Sequence, residues 1–314
     1  MYWRDDASDA VRDRANGVFS RRFKGNEEKM VEIISHNHAR ELISLSGTYL
    51  EQNESENNLP IGLAYRLAED PYYYTSELPV LLSILEQGRG VGVAVMTPPK
   101  KIILSRIDTD IQAAAACLVD YLRGIDVRIP GIVGPAVEAQ AFSDCWLEGR
   151  IGVSAELNKR MRVFEARTVA NLPLSPGEMR FAHINDHPLM ARWIVGLSEA
   201  IGEPVSLESA KSRAKKLIKD QELYVWDNGG PVSIAGVSRP MRNGTTIGLV
   251  YTPPEHRGKG YATSCVLLLT KKLLSDGYSF CSLYTDLSNP TSNSIYTKIG
   301  YVPIGDALEF DFLG

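Results

Sequence analysis

The chain has 314 residues, of which 44% are hydrophobic and 23% are charged, and its formal net charge is -4. This balance is typical of a folded globular protein, and the acidic charge argues against a nucleic-acid partner, which would require a basic excess or a basic stripe. No run of about 20 apolar residues is present, so we expect no membrane insertion, and the length favours two domains.

The cysteines indicate a reduced, cytoplasmic protein without a metal site. They stand inside apolar segments and lack the C-x-x-C spacing of zinc or redox sites, so we expect all of them to be core residues. They are Cys117, Cys145, Cys265 and Cys281.

Residues 1–29 are predicted to be a charged N-terminal extension. Charges of both signs dominate this stretch and apolar residues are scarce, so it cannot bury much surface. It contains no apolar core of an export signal. We therefore expect residues 1 to about 25 to be loosely held.

Residues 30–168 predict a first domain. A strand begins at Met30, helical spacing runs from His38 to Leu67 with a break at 57–60, and three apolar runs separated by Pro-rich or Gly-rich turns predict an antiparallel meander. An alanine-rich helix, another helix and a strand follow.

Residues 169–177 predict a linker, because two prolines and a glycine stand there between two strand-like runs. Residues 178–314 then repeat the earlier order: strand, two helices, three strands, helix, strand, helix and terminal strands. The sequence therefore predicts an α/β (α+β) protein made of two tandem folds, each a mixed, largely antiparallel sheet flanked by helices.

The stretch "VYTPPEHRGKGYATSCVLLL" has the features of a phosphate-binding loop. Its prolines end a strand, and Arg257, Gly258, Lys259 and Gly260 precede an amphipathic helix. Glycines let backbone N–H groups approach an anion, and the helix amino terminus adds unpaired donors. A glycine-rich turn that starts a helix for local reasons is the alternative, but such a turn does not need the two cations.

Two other phosphate loops are excluded. The motif GxxxxGK[ST] is absent, and Thr263 stands where the dinucleotide fingerprint requires its third glycine. The preceding meander also lacks the helical crossovers of a Rossmann unit.

These residues resemble the GNAT superfamily of N-acetyltransferases. Its acyl-CoA signature, Arg/Gln-x-x-Gly-x-Gly/Ala, is similar to Arg257-Gly258-Lys259-Gly260-Tyr261-Ala262, and "NPTSNSIYTKIGY" resembles the second motif of the superfamily. The resemblance covers residues 178–314 closely and residues 30–168 only by the order of their elements.

The resemblance implies a role for each matching residue. Backbone groups of Val250, Tyr251 and Thr252 would bind the pantetheine arm and the acyl carbonyl on a strand that splays from its neighbour. Asn289 would contact the pantetheine, and Tyr296 would protonate the departing thiolate. The pyrophosphate would be held by the loop and first helical turn: Arg257, Gly258, Lys259, Gly260, Tyr261, Ala262 and Thr263.

Simpler interpretations of two of these residues stay open. Spacing alone favours Tyr296 as a packed aromatic residue of an amphipathic helix, and Asn289 before Pro290 as a turn residue or helix cap. Ser292 and Asn293 could cap this helix as well.

The general base is unassigned. Many superfamily members carry a carboxylate on the strand before the loop, whereas this strand offers Thr245, Thr246, Ile247 and Gly248. Other candidates, each of which also has a structural interpretation, are His183, Glu222, Asp286 and Glu309, and a water relay is a further alternative.

The first domain is expected to bind no cofactor. Its "TPP" at 97–99 turns from the second into the third meander strand, so the counterpart of the phosphate loop is "SRIDTDIQA". That stretch has two aspartates and no glycine, which would repel a pyrophosphate.

The resemblance implies an enzyme that moves acetyl from acetyl-CoA to a primary amine of a small molecule or peptide, without a metal. A monomer or homodimer is expected. The alternative is an acyl-CoA-binding sensor or interaction module without turnover.

Overall fold

The computed structural model describes residues 10–13, 18–24, 28–125, 127–239 and 241–314. It divides into two compact units. Unit 1 comprises the described residues up to Arg162 together with Gly305–Gly314, and unit 2 is Val163–Ile304. Each unit combines a largely antiparallel sheet with helices, so the predicted tandem α/β fold is confirmed. The domain boundaries drawn from the sequence remain a prediction.

The helices follow the order that the sequence predicts, and the strands include several that it does not. In the first part of the chain they are β1 (Ala10–Asp13), β2 (Val18–Lys24), β3 (Glu28–Ser35), α1 (Ala39–Gln52), α2 (Asn58–Glu69), β4 (Val80–Glu86), β5 (Arg89–Met96), β6 (Ile102–Leu104), α3 (Ile111–Arg123), β7 (Gly131–Pro135), α4 (Ala136–Leu147) and β8 (Ser154–Ala166). In the second part they are β9 (Glu178–Phe181), α5 (His187–Ala200), α6 (Leu207–Lys219), β10 (Leu223–Asp227), β11 (Pro231–Ser238), β12 (Gly244–Tyr251), α7 (Tyr261–Ser275), β13 (Phe280–Asp286), α8 (Pro290–Ile299) and β14 (Val302–Leu313).

The sheet of unit 1 runs in the order β1-β2-β3-β4-β5-β6-β7-β14. Adjacent strands are antiparallel, except for the parallel pair of β6 and β7. The end of β14 pairs with β7, with Phe310 opposite Ile132. A Cβ atom on Gly131 would collide with the carbonyl of Phe310, so the close approach of these strands requires glycine there.

The segment 18–24 is held in the sheet of unit 1. It forms β2, which pairs with β3 from Val18 opposite Ile34 to Lys24 opposite Glu28. Phe19 is buried and contacts the ring of Tyr121 edge-on. Arg21 forms an ion pair with Asp120 on α3. The expectation of a loosely held extension is wrong for this segment, and the rest of 1–29 lies partly outside the described residues.

In unit 2 the strand order is β13-β12-β11-β10-β9, with β12 and β13 parallel and the other pairs antiparallel. Alternate residues of β10 enter different apolar clusters: Leu223 and Val225 pack with α5 and α6, whereas Tyr224 and Trp226 pack with α7 and α8. Because successive side chains of a strand point to opposite faces, helices cover both faces of this sheet.

Candidate active site

Strand β12 is bulged at Leu249. Between the pair Gly236–Gly248 and the pair Ile234–Tyr251, β12 advances one residue more than β11. Leu249 has a φ of 52°, a left-handed conformation that is rare for a leucine. The side chain of Leu249 packs over Gly236, where an added Cβ would lie 3.2 Å from its Cδ1 atom. The bulge therefore bends β12 immediately before Val250 and Tyr251.

The parallel pairing of β12 with β13 stops before either strand ends. It runs from Gly244 opposite Phe280 to Thr246 opposite Ser282, while β12 continues to Tyr251 and β13 to Asp286. The two strands therefore part after Thr246. Beyond Thr246, the backbone N–H and C=O groups on this side of β12 have no partner in the β12–β13 ladder. Such groups need another hydrogen-bond partner, and a ligand can provide it.

The loop after β12 leads directly into α7. Pro254–His256 forms a 3₁₀ turn, and Gly258 and Gly260 follow with φ of 77° and 76°. Gly260 caps α7 without a side-chain hydrogen bond, so the first-turn N–H groups lack the usual internal acceptor. A Cβ on Gly258 would meet no atom within 4 Å, which leaves the outer side of the loop open. This geometry suits an anion at the helix amino terminus.

The two cations of the loop are exposed and loosely tied to its backbone. Arg257 donates from Nε to the carbonyl oxygen of Thr252 at 3.0 Å, and the Nζ of Lys259 lies 3.4 Å from the carbonyl oxygen of Glu255. The remaining guanidinium donors of Arg257 can therefore reach a ligand. Thr252 itself bonds to Ser233, at 2.8 Å between the hydroxyl oxygens, which fixes the end of β12.

Tyr261 points inward, whereas Ala262 and Thr263 are half-buried in the first turn of α7. The hydroxyl of Tyr261 accepts a hydrogen bond of 2.9 Å from Nδ2 of Asn228. Its side chain therefore anchors the helix, and only its main chain faces the loop.

Tyr296 lies on α8 in the apolar cluster that α7 and α8 form over the sheet. It is 7% exposed, and its ring contacts Tyr301 edge-on at 5.9 Å between centroids. Val250 packs against the same cluster. Within the described residues the hydroxyl of Tyr296 has no hydrogen-bond partner, and burial raises the pKa of the phenol to about 12. At neutral pH this hydroxyl is therefore protonated and can donate a proton.

Asn289 has the role of a helix cap. Its Oδ1 atom accepts a hydrogen bond of 3.1 Å from the N–H of Ser292, which satisfies a first-turn donor of α8. Asn293 ties this helix to β13, because its Nδ2 donates to the carbonyl oxygens of Asn289 and Asp286. The contact of Asn289 with pantetheine remains a prediction.

The candidates for a general base mostly have structural partners. His183 and Asp186 form a capping box, and Asp286 accepts two hydrogen bonds from Ser288. Glu309 belongs to unit 1, where it pairs with Lys101 and accepts from Asn158. Glu222 is half-buried immediately before β10. These positions do not identify a base.

The cysteines are unpaired and three of them are buried. Cys145, near the end of α4, is half-buried and packs against the apolar cluster of unit 1, so it lies at the edge of the core. Burial raises the thiol pKa of Cys265 and Cys281 to about 12, which makes both poor nucleophiles. Across the described ranges no group of His, Cys, Asp and Glu could hold a metal ion, and none of the described helices could cross a membrane.

The corresponding loop of unit 1 is filled by the side chains of this unit. Between β6 and α3, the N–H of Arg106 donates to Oδ1 of Asn57 at 3.0 Å and that of Ile107 to Oε1 of Glu138 at 3.1 Å. Asp110 caps α3 by accepting from the N–H of Ala113 at 3.1 Å. Side-chain oxygens of two carboxylates and one amide thus accept hydrogen bonds from the backbone N–H groups that could otherwise bind an anion.

Comparisons with known proteins find one family model and several solved structures of similar fold. The model of the family described as "FR47-like protein" matches residues 234–309. No curated protein matches the chain. An acetyltransferase from the GNAT family of Colwellia psychrerythraea is 15% identical and superposes with a TM-score of 0.57, covering 90% of this chain and 99% of that one.

Two further structures are similar over almost their whole length. A GCN5-related N-acetyltransferase from Sphaerobacter thermophilus is 15% identical with a TM-score of 0.54, covering 90% of this chain and 95% of that one. A tandem GNAT protein from the clavulanic acid biosynthesis pathway is 12% identical with a TM-score of 0.54, covering 90% and 98%. The resemblance is thereby confirmed at the level of the fold: the chain has the tandem fold of the GNAT superfamily, and its FR47-like stretch contains the bulged strand, the glycine loop and the helix of Tyr296.

Proposed function

We propose that unit 2 transfers an acetyl group from acetyl-CoA to a primary amine by direct attack, without a covalent enzyme intermediate. The observation that carries the proposal is the parting of β12 from β13 after Thr246, followed by the open glycine loop at the start of α7. Strand backbone outside the β12–β13 ladder and a helix amino terminus thus follow each other along the chain, and an acyl donor with a pyrophosphate needs both.

In this proposal the donor lies along the end of β12. Backbone groups of Val250, Tyr251 and Thr252 bind the pantetheine amides, and Asn289 contacts the pantetheine from the start of α8. The pyrophosphate is held by main-chain N–H groups of residues 258–263 and by the cations Arg257 and Lys259. The fit is supported by the open side of Gly258 and the exposure of both cations.

The chemistry requires one bond to form and one to break. The amine nitrogen attacks the thioester carbonyl, a backbone N–H beside the bulge stabilises the developing oxyanion, and the C–S bond then breaks. Tyr296 donates its proton to the departing thiolate, for which its raised pKa keeps it protonated. The side chain that takes the proton of the amine is unassigned, and a water relay can accept it, since β12 carries no carboxylate.

The missing strand carboxylate also favours a second candidate, an acyl-CoA-binding sensor or interaction module without turnover. The same loop would serve both functions. They are separated by measuring thiol release from acetyl-CoA in the presence of pooled polyamines, amino acids, aminoglycosides and peptides. Amine-dependent release supports the transferase, and binding of acetyl-CoA without release in any pool supports the sensor. The unpaired cysteines support a cytoplasmic location for either function.

A further inference from the structure

We propose that Ser175 is a positioning residue that orients the phosphate loop. The segment 169–177, which we call the strap, holds Ser175 against this loop. The sequence alone marks this segment only as a linker. The inference rests on the proposed function, because it concerns how the same loop holds a pyrophosphate.

Ser175 donates one hydrogen bond to the loop and one to the following helix. Its hydroxyl donates to the carbonyl oxygen of Lys259 at 2.8 Å, and its N–H donates to the hydroxyl of Ser264 at 2.8 Å. The two bonds thus reach the last loop residue before Gly260 and the first turn of α7. Ser175 therefore sets the position of the loop relative to the helix.

The bond to Lys259 orients a donor of the loop. The carbonyl of Lys259 and the N–H of Gly260 belong to one planar peptide group, and cis bonds in the described chain occur only at Pro98–Pro99. In a trans peptide the two groups point in opposite directions. When Ser175 holds the carbonyl on the protein side, the N–H of Gly260 is aimed away from the strap, toward the open side of the loop. Hydrogen bonding of the carbonyl also polarises the peptide and strengthens this donor.

The loop needs such an anchor because its glycines permit rotation. Gly258 and Gly260 both have positive φ values, which glycine adopts as readily as negative ones. A Cβ atom added to Gly258 would meet no atom within 4 Å, so the loop is not packed there. A Cβ on Gly260 would lie 2.7 Å from the Oγ of Ser175, so a glycine at 260 is also what allows Ser175 to approach. Without the serine hydroxyl, a ligand would have to immobilise this peptide itself, at a cost in affinity.

The strap is itself fixed on both sides of Ser175. The indole N–H of Trp226 donates to the carbonyl oxygen of Pro176 at 3.0 Å. At the other end, the N–H of Ala170 donates to the carbonyl oxygen of Ile299 at 2.8 Å, at the end of the helix that carries Tyr296. Leu172 packs against the apolar cluster of α7 and α8. One segment therefore contacts both the phosphate loop and the helix of the proposed acid.

The test compares Ser175→Ala with the conservative variant Ser175→Thr, which keeps a hydroxyl. Ser212→Ala is the matched control, since Ser212 is exposed on α6. Calorimetric titration with CoA measures affinity, and titration with pantetheine, which lacks the pyrophosphate, reports on the rest of the site. Melting temperatures of the free proteins show whether each variant is folded.

We expect Ser175→Ala to weaken CoA binding about fivefold, the effect of one net hydrogen bond, and to leave pantetheine binding unchanged. Ser175→Thr should restore most of the affinity, and Ser212→Ala should match the wild type. An unchanged CoA affinity in folded Ser175→Ala would overturn the proposal, and so would an equal loss for pantetheine. If the wild type itself binds no CoA, the proposed function fails, which is a separate outcome from a wild type that binds and a variant that binds equally well.

Discussion

The hydroxyl oxygens of Thr246 on β12 and Ser282 on β13 lie 3.3 Å apart, and these residues form the last pair of the parallel ladder. Both side chains are fully buried, whereas Val250 and Tyr251, further along β12, are half-buried. The point at which the strands part is therefore fixed inside the core by a polar contact. The diverging ends reach the surface, where a ligand can approach them.

Replacement of Arg257 by alanine should mainly weaken the binding of acetyl-CoA. A charge-assisted contact to a phosphate is worth about 1.5 to 3 kcal/mol and is made in the ground state and the transition state alike, so KM should rise about tenfold or more while kcat is retained. Steady-state kinetics and calorimetry measure the two effects. Arg192→Ala, at an exposed position on α5, is the control and should bind normally. Unchanged affinity in Arg257→Ala would remove the main support for a pyrophosphate at this loop.

Two tyrosines of the same cluster should respond in opposite ways to the loss of a hydroxyl. Tyr296→Phe keeps the ring and removes no hydrogen bond within the described residues, so stability should hold while kcat falls about 100-fold. Tyr301→Phe removes a bond of 2.8 Å to Thr270 in the core, which should lower the free energy of unfolding by about 1 kcal/mol and leave kcat unchanged. Chemical denaturation and turnover at saturating substrate give both values. Full activity in Tyr296→Phe would assign that residue to packing and the proton to water.

The contribution of Tyr296 should not depend on pH in the ordinary range. An unperturbed phenol loses its proton near pH 10, and burial raises the pKa of this phenol to about 12. A raised pKa keeps the donating form fully populated below pH 10, and the form is lost only as pH approaches 12. The ratio of kcat between wild type and Tyr296→Phe should therefore stay constant from about pH 7 to 9.5. A ratio that falls toward one with a midpoint near pH 8 or 9 would contradict this assignment.

The whole chain should bind one acetyl-CoA. In unit 1 the loop donors of Arg106 and Ile107 are already bonded to Asn57 and to the buried Glu138, and an added carboxylate or phosphate would face the charge of Glu138. Calorimetric titration should give a stoichiometry near one, and Arg257→Ala should weaken that single site. Two sites of comparable affinity per chain would show that the loop of unit 1 opens.

Local patterns predict much of the fold because they depend on neighbouring residues. The "TPP" at 97–99 turns from β5 into β6 as expected, and α1 and α2 are separate helices, although the break between them is at 53–57 and the predicted 58–60 form the first turn of α2. Long-range pairing is not visible in such patterns. The two terminal strands predicted after Gly300 are the single strand β14, and β7 was absent from the prediction because its five residues include two glycines and a proline.

The candidate site is predictable only where a motif marks it. No residue pattern indicates the bulge at Leu249, because the left-handed conformation of this leucine is imposed by the pairing with β11. Ser175 was equally hidden, since its partners Lys259 and Ser264 are more than 80 residues away along the chain. Gly258 and Gly260 could be recognised because their conformation requires glycine.

We propose that unit 2 uses the opened strand and its glycine loop for acyl transfer to an amine. The most direct test of this proposal is the rate of thiol release from acetyl-CoA across the pooled amine acceptors, with mass spectrometry of the amine product. We expect release that depends on one class of amine, yields an acetylated amine, and falls about 100-fold in Tyr296→Phe. Binding of acetyl-CoA with no release above the buffer rate in any pool would contradict it.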